Sequence, residues 1–271
     1  MRKFSLMMKP EMSPAKFAPL SKPFQPDADA RKLEGVVFDV DGTLCEPQTY
    51  MFAEMRAALG ISKGTDILDH VYSLPTAEEQ HHAMELIRGI ERTAMASQVA
   101  QPGLVRLMEY LDERGIRKGI CTRNFDAPVN NLLSKFLAGS IFGPIVTRDF
   151  RPPKPDPAGI LHIARSWGLL RESTGEAGVP LSDEEQRRAQ NVGASAADDL
   201  VPTQRGDAVA DASGLIMVGD SIDDITAGRR AGAKTVLLVN DVNRYLADHE
   251  NTDLVISRLD DLIEVLENGQ L

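Results

Sequence analysis

The sequence predicts an α/β fold in which a doubly wound parallel sheet carries helices on both faces, with further helices inserted after the first strand. Two observations support this prediction. Short apolar runs alternate with longer segments of helical periodicity, which is the pattern of parallel strands joined by crossover helices. A long segment of helical character without strand character separates the first two runs. The 271 residues suffice for one large domain and a small accessory one.

Residues 1–33 are predicted to be a disordered tail, because they contain several prolines and no long apolar segment. The first half of the tail is basic, as in a mitochondrial presequence, but Glu11 and the prolines fit that class poorly. We therefore expect a cytoplasmic protein, with a mitochondrial one as the alternative.

The predicted sheet domain comprises residues 34–45 and 102–271. Its strands are predicted at 35–39, 118–121, 141–147, 215–218 and 235–239, with a short edge strand at 254–256. Its helices are predicted at 104–114, 126–138, 157–168, 223–231 and 259–266. Gly115 is expected to end the first of these helices, and Asp126 to cap the second.

Residues 46–101 are predicted to form the all-helical insertion. Apolar residues recur at helical spacing, and Thr76 with Glu79 three positions later forms a capping-box pattern. Residues 171–213, by contrast, are rich in Gly, Ala, Asp, Glu and Ser and nearly lack large apolar side chains. They are interpreted as a flexible acidic insertion, in which Ser182 and Glu185 could begin one short helix. A partner-binding role for this insertion is the alternative.

The charge balance limits the kinds of partner. Lys and Arg number 30 and Asp and Glu number 40, giving a net charge of −10. This balance argues against general binding to nucleic acid or to anionic membranes. A small phosphorylated substrate is compatible with this charge, because a local pocket can be positive on an acidic protein.

No apolar run is long enough to span a bilayer. The chain has two cysteines, Cys45 and Cys121, which favours a reducing compartment.

Chemically active residues follow four of the predicted strands. Because ligands bind beyond the carboxyl ends of the strands in a doubly wound sheet, these residues are expected to share one crevice. They are Asp39, Asp41, Gly42 and Thr43 after the first strand, Thr122 and Arg123 after the second, Lys154 in the loop after the third, and Asp220 and Asp224 after the fourth.

Several carboxylates in one crevice would repel one another, and a divalent cation relieves that repulsion. Ligands that are all oxygen, together with an expected phosphate, favour Mg²⁺ as the cofactor. The metal candidates are Asp39, Asp41, Asp220 and Asp224. No His or Cys set has the spacing of a zinc site.

The same crevice can hold and cleave a phosphate ester. Lys154 supplies positive charge, Thr122 a hydroxyl donor, and Gly42 with Thr43 a tight turn with backbone donors, while Arg123 flanks Thr122. Asp39 can attack phosphorus to give an aspartyl-phosphate. Asp41 can protonate the leaving alcohol and later take a proton from water.

Four segments together resemble the motifs of the haloacid dehalogenase superfamily, in the expected order. They are DVDGT at 39–43, Thr122, Lys154 within PPKPDP, and GDSIDD followed by AGRRAG. The resemblance, which is to phosphoglycolate phosphatase-like members, implies a Rossmann-like core with residues 46–101 as a cap. It also implies that the backbone carbonyl of Asp41 contacts the metal, that Asp220 binds the metal, and that Asp224 supports the metal-bound waters.

The resemblance implies a Mg²⁺-dependent phosphatase acting on a small phosphorylated metabolite. A phosphomutase that uses the same intermediate is one alternative, and a partner-binding protein on this fold is another. Tyr50, Arg56 and Arg92 are candidate substrate contacts from the insertion. Asp223 matches no expected ligand position.

Overall fold

The computed structural model describes residues 16–24, 30–48, 50–172, 208–269 and 271. Its centre is a parallel sheet of six strands. In chain order these are β1 Gly35–Phe38, β2 Arg117–Cys121, β3 Ile145–Val146, β4 Leu215–Gly219, β5 Lys234–Leu238 and β6 Leu254–Ile256. Their spatial order is β6-β5-β4-β1-β2-β3, so the direction of winding reverses between β1 and β4. The predicted doubly wound α/β sheet is therefore confirmed, and its ligand crevice is expected at this reversal.

Helices cover both faces of the sheet. They are α4 Leu104–Glu113, α5 Asp126–Phe136, α6 Ala158–Ser166, α7 Ile222–Ala231 and α8 Asp261–Asn268. Side chains alternate along β1, so Val36 and Phe38 pack with α4, α5 and α8, while Val37 packs with α6 and α7. Burial on both faces explains why β1 is an uninterrupted apolar run.

The segment between β1 and α4 contains three helices. They are α1 Tyr50–Leu59, α2 Ile67–Ser73 and α3 Ala77–Ala96, and Thr76 and Glu79 form the expected capping box at the start of α3. These helices share a separate apolar cluster that includes Met55, Val71 and Ile87. The two connections to the sheet domain run side by side, because Glu46 N–H donates to Val99 O and Gln101 N–H donates to Leu44 O.

The predicted disordered tail does not extend through residues 16–24. Phe17 is buried in the main apolar core, and its N–H donates to the carbonyl oxygen of Leu271 at 2.8 Å. Leu20 N–H donates in turn to Leu266 O at 2.8 Å. The prediction failed here because it weighed the prolines and the charge of the segment and had no measure of the distant C-terminal helix that shields Phe17.

Two further boundaries differ from the predictions. The third strand is only Ile145–Val146, since Pro144 has no N–H for the ladder and this strand lies at the sheet edge. Asp126 is the first residue of α5, and the N-cap position is Phe125.

The acidic insertion leaves and re-enters the sheet domain through an antiparallel pair of strands, Leu170–Glu172 with Ala208–Ala210. Its remainder, with Ser182 and Glu185, lies outside the described residues. No described helix is long and apolar enough to cross a bilayer.

Candidate active site

A buried lysine joins two carboxylates at the carboxyl edge of the sheet. Lys154 Nζ donates to Asp39 Oδ1 at 2.7 Å and to Asp224 Oδ1 at 2.5 Å, and the lysine is 5% exposed. Asp39 follows β1, Asp224 lies in the first turn of α7, and Lys154 comes from the loop after β3. Three residues that are distant in sequence are thus brought together as predicted. The two carboxylates raise the pKa of Lys154 against the effect of burial, so the lysine stays charged.

Asp224 has a second structural role as part of a capping box. Its Oδ2 accepts hydrogen bonds from the backbone N–H of Ser221 at 3.0 Å and from Ser221 Oγ at 2.6 Å. Both carboxylate oxygens therefore have protein donors.

Asp39, Asp220 and Asp224 could together hold a metal ion, because their ligand oxygens all lie within 4.8 Å of one another. Burial raises the pKa of Asp39 to about 7 and that of Asp220 to about 7. A divalent cation would favour the ionised forms of both groups. A small, all-oxygen donor set fits Mg²⁺. The side chain of Asp41, the fourth predicted metal candidate, lies outside this group of three.

Asp41 is held by two neighbours. Asn124 Nδ2 donates to Asp41 Oδ2 at 2.6 Å, and Cys45 Sγ lies 3.8 Å from Asp41 Oδ1. Burial raises the pKa of Asp41, which suits a group that must donate a proton. Beside Thr122, Asn124 could be expected to reach substrate, but its contact with Asp41 was not predicted. Its position two residues after Thr122 was the only signal in the sequence.

Thr122 and Thr43 are both buried, in the loops that follow β2 and β1. Thr122 is the first residue after β2, its N–H donates to Val146 O at 2.9 Å, and its Oγ1 accepts from Asn124 N–H at 3.2 Å. Thr43 Oγ1 is buried without a hydrogen-bond partner among the described residues. Since buried hydroxyls normally have partners, the lone hydroxyl of Thr43 is consistent with a site that is completed by a ligand.

Gly42 brings the loop after β1 against Asp220. Its φ is +80°, and a Cβ atom at this position would lie 2.1 Å from Asp220 Oδ2. Gln101, in the second connection to the helical insertion, donates from Nε2 to Gly42 O at 2.7 Å. The loop is thus held between Asp220 and the base of the insertion.

We expect Gly42→Ala to lower kcat/KM by at least about 100-fold and to weaken metal binding, because the added methyl group must displace Asp220 and also strains the backbone. Metal titration by calorimetry beside steady-state kinetics checks this expectation. Gly60→Ala is the matched control, since Gly60 also has a positive φ, +67°, but a Cβ there meets no atom within 4 Å. Equal losses in both variants would attribute the effect to backbone strain alone.

Two asparagines support Asp220, and no sequence pattern predicted their roles. Asn243 is buried, and its Nδ2 donates to Asp220 O at 2.7 Å and to Leu238 O at 3.0 Å. Asn240 Nδ2 lies 3.3 Å from Asp220 Oδ2, and Asn240 N–H donates to Asn243 Oδ1 at 2.7 Å. The loop after β5 therefore fixes the loop after β4.

The guanidinium group of Arg123 contacts a different carboxylate from the ones described so far. Its Nη1 donates to Asp223 Oδ2 at 2.5 Å, and the arginine side chain is 63% exposed.

The candidate residues of the insertion also have local partners. Tyr50 OH lies 3.0 Å from Ser97 Oγ, Arg56 Nη1 donates to Phe52 O, and Arg92 is 3.9 Å from Glu85. Cys45 and Cys121 are buried free thiols.

Two family models match the chain. The model described as haloacid dehalogenase-like hydrolase covers residues 36–178, and one described as HAD-hydrolase-like covers residues 190–262. The chain is 39% identical over 243 residues to an uncharacterized hydrolase of Saccharomyces cerevisiae, covering 88% of this chain and 93% of the yeast protein. It is 32% identical over 228 residues to a haloacid dehalogenase-like hydrolase domain-containing protein of Arabidopsis thaliana, covering 80% of this chain and 75% of the plant protein.

Solved structures share the fold at low sequence identity. A predicted phosphoglycolate phosphatase from Haemophilus somnus superposes with a TM-score of 0.59 at 16% identity, covering 86% of this chain and 97% of that one. The protein CbbY from Rhodobacter sphaeroides, in complex with xylulose-1,5-bisphosphate, superposes with a TM-score of 0.58 at 17% identity, covering 85% and 96%.

Proposed function

Because the chain belongs to the haloacid dehalogenase-like hydrolase family, we propose that it is a Mg²⁺-dependent phosphatase that cleaves a small phosphate monoester through an aspartyl-phosphate on Asp39. The observation that carries the proposal is the buried bridge from Lys154 to Asp39 and Asp224, with Asp220 alongside. A lysine between a nucleophilic carboxylate and a metal-binding edge is suited to hold a phosphoryl group for in-line attack.

In the first step a carboxylate oxygen of Asp39 attacks phosphorus and the bond from phosphorus to the ester oxygen breaks. Asp41 gives its proton to that leaving oxygen, so the alcohol departs neutral. In the second step Asp41 takes a proton from a water molecule that attacks the phosphoryl group, and this releases inorganic phosphate and restores Asp39. The hydrogen bond from Asn124 orients Asp41 for both proton transfers.

Lys154 and Thr122 hold the oxygens of the phosphoryl group, with backbone donors of the turn at Gly42 and Thr43 on the other side. Asp39 and Asp220 would hold Mg²⁺, with the carbonyl of Asp41, and Asp224 would support its waters. When bound, the ion would neutralise the charge that gathers around the phosphoryl group.

Residues 46–101 are proposed to act as a cap that closes over this crevice. The separate apolar cluster of the three helices lets them move as a unit, and the paired connections at Glu46–Val99 and Leu44–Gln101 form a narrow base. Closure would exclude water other than the attacking molecule. A phosphomutase that passes the phosphoryl group to a sugar would use the same residues and is the second candidate.

Phosphate release from a panel of small phosphate esters tests the proposal. We expect the purified full chain to release phosphate with Mg²⁺ and to lose this activity in EDTA, with recovery when Mg²⁺ is returned. If phosphate is released equally with and without the metal, the metal role is wrong. If no ester is hydrolysed but a labelled, stable phosphoenzyme forms and needs a sugar phosphate to turn over, the phosphomutase candidate is favoured.

A further inference from the structure

The ion pair of Arg123 and Asp223 spans the carboxyl edge of the sheet. Arg123 follows β2 and Asp223 follows β4, and these are the two neighbours of β1. Helix α5, which follows Arg123, packs on one face, while α7, which carries Asp223, packs on the other. The pair therefore joins opposite faces across the end of β1, where Asp39 lies.

The backbone around Arg123 belongs to the candidate active site. Thr122 precedes it, and Asn124, which follows it, holds Asp41 at 2.6 Å. Asp41 is the group proposed to protonate the leaving oxygen. A leaving group that departs beside Asp41 would therefore depart next to the segment that carries Arg123.

The guanidinium group is only partly used in its present contact. Among the described residues its hydrogen bond to Asp223 involves Nη1, whereas a guanidinium offers five N–H donors. The side chain of Arg123 is 63% exposed and that of Asp223 is 27% exposed, so breaking this ion pair costs little free energy. A ligand oxyanion could bind the guanidinium through two hydrogen bonds and replace the single one from Asp223.

A second arginine, in the turn after β3, contacts the same segment. Arg148 N–H donates to Asn124 O at 2.8 Å, and its guanidinium carbon is 5.0 Å from the centre of the Phe125 ring. Burial raises the pKa of Glu91 on α3, and the positive charge of Arg148 opposes that rise. Two arginines, Arg123 and Arg148, therefore adjoin the segment whose Asn124 holds Asp41.

We propose that Arg123 recognises a second anionic group on the leaving part of the substrate, either a carboxylate or a second phosphate, and that this group displaces Asp223. The proposal rests on the proposed phosphatase function and adds the substrate class, namely phosphate monoesters with a second oxyanion a few bonds from the ester oxygen. Asp223 then serves as an internal competitor that pairs with the arginine when no substrate is bound.

The test uses three esters with one two-carbon framework, which differ only at the second carbon. They are phosphoglycolate with a carboxylate, ethylene glycol bisphosphate with a second phosphate, and 2-hydroxyethyl phosphate with a neutral hydroxyl. We expect kcat/KM to be at least about 10-fold higher for one or both anionic esters than for the neutral one. The two anionic esters distinguish a carboxylate site from a phosphate site.

Arg123→Gln is expected to lower the ratio of anionic to neutral kcat/KM by about 10- to 100-fold, and Arg123→Lys by less. Asp223→Asn is expected to lower the KM of the anionic ester, because it removes the competing carboxylate. Arg114→Gln is the matched control, since Arg114 also has a 2.5 Å ion pair, with Glu267, but lies beyond the end of α4 at the opposite edge of the sheet.

Three results would overturn the inference. They are a wild-type ratio near one, equal losses on all three esters in Arg123→Gln, and an unchanged KM in Asp223→Asn. Equal losses on all three esters would indicate that Arg123 contacts the transferred phosphoryl group. All three leave the phosphatase proposal intact, because they require hydrolysis of at least one ester. If the wild type hydrolyses none of the three esters or the wider panel, the phosphatase proposal and this inference fail together.

Discussion

Asp39→Asn is expected to lower kcat by at least about 10,000-fold, because an amide cannot attack phosphorus to form the acyl phosphate. The substitution keeps the volume of the side chain and an oxygen that can accept the hydrogen bond now made by Lys154. Rapid-quench measurement of phosphoenzyme, beside steady-state phosphate release, checks both the loss and its cause. A variant that still forms a phosphoenzyme would show that another residue is the nucleophile.

The same variant should fold, and its stability gives a second readout. The pKa of Asp39 in the folded chain is about 7, well above that of an unfolded aspartate, so the folded state binds the extra proton. Ionisation of Asp39 therefore lowers stability as the pH rises from about 4 through 7. A neutral amide removes this penalty, and we expect a Tm at pH 8 without metal that equals or exceeds that of the wild type. Asp241→Asn, at a side chain that is 94% exposed, is the control for the loss of one charge.

The residues that end the strands could be predicted because each follows a buried apolar run. Asp39 and Asp220 directly follow β1 and β4. Once these two strands pair in parallel, both residues must lie at the carboxyl edge of the sheet. The pairing itself needs the crossover helices, whose periodicity is visible in the sequence. The carboxyl-edge crevice therefore followed from local patterns, whereas the order of the strands was not predicted.

The supporting residues could not be predicted, because their roles depend on contacts between distant loops. Asn243 holds Asp220 through a backbone carbonyl, and Gln101 holds Gly42 in the same way. A polar residue in a loop has many local uses, and nothing in its neighbours tells which carbonyl it will meet. Phe17 is a similar case, since its burial depends on the C-terminal helix and on Leu271.

Arg123 illustrates that the position of a residue beside a motif does not determine what its side chain contacts. Its place after Thr122 suggested a contact with the transferred phosphoryl group, but the guanidinium bonds with Asp223 on the far side of β1. A long, charged side chain can reach several partners from one backbone position. The backbone of the segment was therefore well predicted, while the contact of its longest side chain was not.

Lys154→Met is expected to abolish measurable turnover and to destabilise the folded chain by about 3–5 kcal/mol at pH 8, because two buried carboxylates lose their shared cation. Lys154 lowers the pKa of Asp39 against the larger effect of burial. Its removal raises that pKa further above 7, so Asp39 takes up a proton more readily in the variant.

The loss of stability in Lys154→Met should therefore depend on pH in a definite direction. With a raised pKa in the folded state, stability is greatest below that pKa and falls as the pH rises through it. Urea unfolding without metal should give a clearly smaller difference from the wild type at pH 6 than at pH 8.

Lys118→Met is the matched control, since Lys118 is also buried, at 3% exposure, but pairs with Asp112, whose side chain is 42% exposed. Its partner can be solvated when the lysine is lost, so that variant should remain active and show the same loss at both pH values. Equal losses for Lys154→Met at pH 6 and pH 8 would mean that Asp39 does not take up the proton, and that its carboxylate is stabilised by something other than this lysine.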